Sequence, residues 1–351
     1  MSFKKIIFFI FCFIVGLLAH GWAALAIYYC SFPSVIVLRV VLAVIYLSAV
    51  ILFITINRRH VLAFVLSFLG FFVVVGWFSS IQPRADGFYP AELTLPFAEI
   101  NNDTVTLHNV RNCAYRTKED FDVHYETRVY DLKNLKTLDV LVNYWGMAAI
   151  AHTFLSFGFS DGQYLAVSVE IRPEVGKAYD MLQGFFKQYN LIYIWADERD
   201  LVRLRTNYKK EDVYLYRTTL PPGDVQKMFV SMLEGTNAIY RKPQFYNTFT
   251  HSCTNTLANH VVAAGIEKIP FWKHRVLTGN VDRRLYEDGA LDRSVPFLQL
   301  RRQANINERA NQADQDPQFS KRIRTHLIKA VGKDEMFSSQ ISFLTAEIPC
   351  N

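Results

Sequence analysis

The chain has 351 residues, of which 51% are apolar and 15% aromatic, and it carries a net charge of +6. That apolar share is high for a purely soluble protein. The charge has a local origin: residues 1–80 hold Lys4, Lys5, Arg39, Arg58 and Arg59 but no Asp or Glu, and without those five the chain has 33 basic against 32 acidic residues. No basic face remains for nucleic acid, so no nucleic-acid partner is expected.

Three apolar runs come first, at Ile6–Tyr28, Val35–Ile56 and Val61–Phe78. They are 23, 22 and 18 residues long, enough to span a bilayer as helices. Lys4 and Lys5 precede the first run, and Arg58, Arg59 and His60 separate the second from the third. The positive-inside rule keeps both basic clusters in the cytoplasm, so the third run leads the chain outside. Trp22, Tyr28, Tyr29 and Trp77 then fall near the outer interface, and Arg39 can snorkel towards it. A cleavable signal peptide is the alternative for the first run, although that run exceeds the usual apolar length of one.

Residues 81–96, IQPRADGFYPAELTLP, read as a linker punctuated by Pro83, Gly87, Pro90 and Pro96. Residues 97–351 are expected to form one extracytoplasmic domain. Ile100 to Val110 reads as a hairpin around Asn101-Asn102-Asp103, and Asp120–Asp131 and Leu138–Trp145 as strands. AHTFLSFGFSDGQYLAVSVEIRPE reads as two strands around an Asp-Gly turn. Lys177–Gln188 fits a helix, LIYIWAD a buried strand, Glu198–Asn207 a helix and DVYLYRTTL a strand. PPGDVQKMFVSMLEGTNAIY is a helix opened by its prolines. After Gly265 the tail is polar and arginine-rich, with weak helical signals. Strands and helices in this order indicate an α+β fold.

Cys113, Cys253 and Cys350 lie outside the membrane segment. Three is an odd number, so one thiol stays unpaired within the chain; Cys113 and Cys350 are the candidate disulfide, although spacing does not fix connectivity. No CxxC and no Cys/His metal spacing occurs, so neither a metal nor another cofactor is expected.

The stretch FYNTFTHSCTNTLANHVVAAG carries Cys253. With Ser252 or Thr250 as N-cap and Gly265 as the C′ residue, a helix begins at about Cys253. Free amides and the helix dipole there stabilise a thiolate. Cys253, Leu257, Val261 and Ala264 share one helix face, which a packed core cysteine would also show. A nucleophilic thiol needs a base. His260 lies about 10.5 Å further along the helix axis, too far for direct contact. His251 precedes the helix and reads as a solvated loop residue. His152 opens a strand among large apolar neighbours, either as a satisfied core histidine or as the base. Glu170 would orient His152 only if the Asp161-Gly162 turn is a three-residue loop; a two-residue turn points it to the other face. Otherwise it is a solvated strand charge. Tyr246 and Asn247 are candidates for oxyanion contacts, with Arg172 as a further supporting residue.

Together, AHTFLSFGF with DG and SVEIR (residues 151–172), YIWADERDLVRLR (193–205) and FYNTFTHSCTNTL (245–257) resemble the Lnb N-terminal periplasmic domain family. Weaker similarity continues through LYEDGALD and FSKRIR. The chain departs from the pattern at HSC, where asparagine commonly precedes the cysteine. The order of histidine and cysteine is similar to that of permuted papain-like folds, which implies such a fold with an antiparallel sheet. The three-helix membrane part lies outside the matched domain; with the apolar runs and basic clusters read above, the chain is expected to be a multi-pass protein of the bacterial inner membrane with its large domain in the periplasm. The resemblance also implies lipoprotein N-acylation, in which an acyl chain passes from a membrane phospholipid to Cys253 as a thioester, then to a lipoprotein N-terminus, with His152 as base. The alternatives are a papain-like peptidase or amidase of the cell envelope, and a non-catalytic envelope assembly module.

Overall fold

The computed structural model describes residues 3–30, 35–146, 150–266 and 278–327. The chain forms two compact units. The first comprises residues 1–87, 173–190 and 244–248, and the second residues 88–172, 191–243 and 249–351.

In the first unit the apolar runs form three helices, α1 (Phe3–Cys30), α2 (Ile36–Ile56) and α3 (His60–Ser80), all long and apolar enough to cross a membrane. Most of their large side chains face outward, as a lipid-facing surface requires. Where the helices meet, small and polar groups appear. Ala23, Ala26 and Ala63 are buried. Buried His20 bonds the Tyr46 hydroxyl of α2 at 2.9 Å and the Ser67 hydroxyl of α3 at 3.0 Å. Hydrogen bonds between helices matter in lipid, where water offers no replacement.

The segment 173–190 is irregular and not the helix expected over Lys177–Gln188. It has only a short 3₁₀ turn, Gln183–Phe185, and Lys187 takes a positive φ of 55°. Its polar groups find partners across the unit. The Tyr189 hydroxyl accepts from the Asp180 amide at 2.9 Å and donates to the Ala178 carbonyl at 2.8 Å. Such contacts override helix propensity.

The second unit is α+β. Its sheet runs β1 (Phe97–Asn101), β2 (Thr104–Arg111), β9 (Asn190–Ala196), β8 (Tyr164–Arg172), β7 (Ala151–Phe159), β6 (Leu135–Tyr144) and β10 (Asp212–Arg217), with β5 (Tyr125–Asp131) also pairing β2. A small separate pair joins β3 (Ala114–Tyr115) to β4 (Phe121–Asp122), so the strand expected over Asp120–Asp131 is broken. The sheet is mixed and not wholly antiparallel: β2 meets β9 in parallel through Arg111 and Ala196. The cause is the long excursion between those strands, which brings β9 back beside β2 in the same direction.

Every residue of β7 and β9 is buried, because helices cover both sheet faces. On one face, α5 (Pro222–Arg241) sets Phe229 against Phe157 and Trp195, with ring centroids 4.9 and 5.4 Å apart. On the other, Phe154 and Leu215 pack with Val202 of α4 (Glu198–Arg203), Ala310 of α9 (Asn307–Gln312) and Phe319 of α10 (Phe319–Arg322). The tail thus completes the core; α7 (Val281–Glu287) and α8 (Phe297–Ala304) lead into it. Just after α10, Arg324 is 3% exposed. It pairs with Glu198 at 2.6 Å and Asp139 at 2.7 Å, both wholly buried.

Candidate active site

Cys253 opens α6 (Cys253–Ala263). Ser252 is the N-cap, its hydroxyl accepting from the Asn255 amide at 3.4 Å. Gly265 ends the helix at a φ of +66°, a conformation glycine adopts freely. The cap leaves the first-turn amides of Cys253 and Thr254 without intrahelical partners, which is where an oxyanion could be held.

His152 comes from β7, and the β7–β8 hairpin decides what stands beside it. Leu155 pairs with Val167 and Gly158 with Tyr164. Continued outward, that register sets 152 opposite 170. The connection is therefore the three-residue form: the Gly162 amide donates to the Phe159 carbonyl, the Phe159 amide to the Gln163 carbonyl, and Gly162 has a φ of +86°. Glu170 thus lies on the same face as His152.

The contacts form a directed chain. His152 Nε2 donates to Ser168 Oγ at 2.6 Å and lies 3.1 Å from Glu170 Oε1. Ser168 Oγ donates to the same Glu170 oxygen at 2.7 Å. Nε2 is thereby fixed as the protonated nitrogen, which leaves Nδ1 for the Cys253 thiol, with which the ring is in hydrogen-bonding contact. The Cys253 sulfur also accepts from the Thr153 amide and lies 3.8 Å from the Thr254 hydroxyl.

Electrostatics follow from this geometry. Burial disfavours a charged His152, but Glu170 and Cys253 outweigh it and push its pKa up to about 9. Burial would raise the Cys253 pKa, but the imidazolium and the donated hydrogen bonds bring it below the usual thiol value. Glu170 is held well below the carboxylate range: His152 and Arg205 overcome its burial. The pair is thus poised as thiolate and imidazolium. Cys113 is the contrast. Burial and the Asp200 carboxylate push its pKa up to about 12, which makes it a poor nucleophile.

Ser168 and Arg205 are the residues that sequence reasoning missed. Arg205 donates to Glu170 Oε1 at 2.5 Å and lies 4.8 Å from the Phe154 ring centroid. A π-helical turn, Leu204–Tyr208, continues α4 and carries it there, with the Lys209 amide bonding the Leu204 carbonyl. The motif YIWADERDLVRLR ends on this arginine, but its spacing does not show where the side chain points.

The other candidates have these surroundings. Arg172 donates to the carbonyls of Glu92 and Leu93 at 2.7 and 2.5 Å, so its guanidinium anchors that turn and is not presented to Cys253. Tyr246 and Asn247 belong to the first unit, where the Tyr246 amide bonds the Tyr189 carbonyl. His260 bonds Tyr193 and Ser231, and burial lowers its pKa to about 4. His251 is exposed. Cys113 is buried and unpaired among the described residues, while Cys350 lies outside them.

Replacing Glu170 with Gln tests the electrostatic chain. It removes the charge that favours the imidazolium, so the His152 pKa should fall and the Cys253 pKa rise. Alkylation of Cys253 at about pH 6.5 should then slow by roughly tenfold or more, since one pKa unit is tenfold in thiolate below the pKa. Site-resolved mass spectrometry would read the rate; an unchanged rate would mean that Glu170 does not set the state of the thiol.

No curated protein and no solved structure matches the chain. Residues 121–280, the segment that carries His152, Glu170, Arg205 and Cys253, match the family model described as the Lnb N-terminal periplasmic domain, so this segment is identified as a member of the family whose motifs the sequence resembles.

Proposed function

We propose that the protein is a membrane-anchored periplasmic cysteine acyltransferase, built on a permuted papain-like domain. The observation that carries this reading is the connected set Cys253, His152, Ser168, Glu170 and Arg205, in a chain with three helices long enough to cross a membrane. The Cys253 thiolate attacks an ester carbonyl of a phospholipid, and a carbon–sulfur bond forms. First-turn amides of α6 hold the developing oxyanion. As the carbon–oxygen bond breaks, the imidazolium gives its proton to the leaving alkoxide, and a thioester with neutral His152 remains. An amine, such as a lipoprotein N-terminus, then attacks the thioester. His152 takes the amine proton, and the thiolate leaves to restore the pair.

Membrane attachment favours an acyl substrate over a peptide, because it raises the local concentration of a lipid donor. The phospholipid donor and lipoprotein acceptor are tested by mass spectrometry of lipoprotein N-termini. Acylated amino termini should appear in cells with the wild-type protein and vanish with Cys253→Ser. Identical N-termini in both strains would refute this substrate assignment.

A further inference from the structure

The loop 173–190 belongs to the unit that holds the three apolar helices. Phe186 stacks on Tyr29 near the end of α1, with centroids 5.1 Å apart, and lies 6.4 Å from Trp22. Lys187 Nζ donates to the carbonyls of Phe78, Ser79 and Ile81 at 2.7, 3.3 and 3.3 Å, so it caps the C-terminal end of α3. That end marks a depth. A helix of 21 residues is about 31 Å long, close to the roughly 30 Å hydrocarbon thickness of a bilayer. The carbonyls that Lys187 caps therefore lie at the boundary between acyl chains and headgroups, and so does the loop that brings Lys187 there.

The rest of this loop presents apolar side chains outward. Val175 is 64% exposed, Tyr179 43%, Met181 46% and Leu182 48%. Four such residues within eight positions would be costly in water. In the layer that Lys187 marks, such side chains would lose that cost, and a tyrosine among aliphatic residues suits the interface. We propose that loop 173–190 inserts into the interfacial layer of the bilayer, with Tyr179, Met181 and Leu182 in contact with phospholipid. This rests on the apolar helices alone and holds whatever chemistry Cys253 performs.

The test uses the full chain in phospholipid nanodiscs, with a photoreactive residue at one position at a time: Tyr179→p-benzoylphenylalanine and Leu182→p-benzoylphenylalanine. Phe72→p-benzoylphenylalanine is the positive control, because Phe72 is 62% exposed on α3. On irradiation, intact-mass analysis should show the mass of one phospholipid added at 179 and 182, with a yield of the same order as at 72. Lipid adducts at 72 alone would overturn the proposal, as would cross-links from 179 and 182 only to protein, including a second copy of the chain.

Discussion

Replacing Cys253 with alanine should abolish acyl-enzyme formation, and replacing His152 with alanine should slow it by about 10²–10⁴-fold at neutral pH. The two effects differ in kind. Without Cys253 no sulfur is available to carry the acyl group. Without His152 the thiol persists but loses the cation that lowers its pKa and the acid that protonates the leaving alkoxide. The measurement is the rate at which the full chain in phospholipid gains one acyl mass. Wild-type acylation in Cys253→Ala would place the acyl group elsewhere, and an unaltered rate in His152→Ala would remove histidine from the mechanism. Arg205→Ala should act more mildly, through Glu170.

The second large effect concerns stability. Arg324 lies beyond the matched segment, yet its guanidinium is the cation held by Glu198 and one of two held by Asp139, the other being Arg217. It also lies 3.6 Å from the centroid of the Tyr164 ring. Arg324→Ala leaves Glu198 as a buried carboxylate with, among the described residues, the Ser156 hydroxyl as its remaining side-chain donor. Removing one partner of such a buried pair costs about 3–5 kcal/mol, more than the net worth of the pair itself. Urea denaturation of the full chain in detergent should show a loss of that size in the second unit; a loss below about 1 kcal/mol would contradict the assignment. The polar tail is thus part of the domain: α9 and α10 close one face of the core and Arg324 neutralises two of its acids.

The membrane helices were readable because hydropathy over about twenty residues is a strong, local signal. The bounds of α6 were readable for a similar reason: Ser252 and Gly265 are local start and stop marks. The hairpin beside His152 was only half readable. An Asp-Gly pair fits loops of two or three residues, and the choice shifts Glu170 from one face to the other. In the structure, Asp161 binds the Gln163 amide at 3.0 Å and Gly162 takes the left-handed position, which together select the longer loop. Arg205 was not readable as a partner of Glu170, because a π turn breaks the spacing from which its direction would be read. Residues 173–190 misled for the opposite reason. Their composition suits a helix, but the hydroxyl of Tyr189 and the carbonyls at the end of α3 compete for their polar groups. Contacts so distant in sequence leave no periodic trace.

The most direct measurement is the alkylation rate of Cys253 against pH, resolved by mass spectrometry in the full chain. An ordinary thiol has a pKa near 8.5 and is only about 1% thiolate at pH 6.5. His152, charged up to about pH 9, brings Cys253 below the ordinary thiol range, so alkylation at pH 6.5 should be faster than for an isolated thiol and should climb by less than tenfold per pH unit towards pH 8. A rate that climbs tenfold per pH unit from 6.5 to 8, as for an isolated thiol, would contradict the thiolate–imidazolium pair and the acyl transfer built on it.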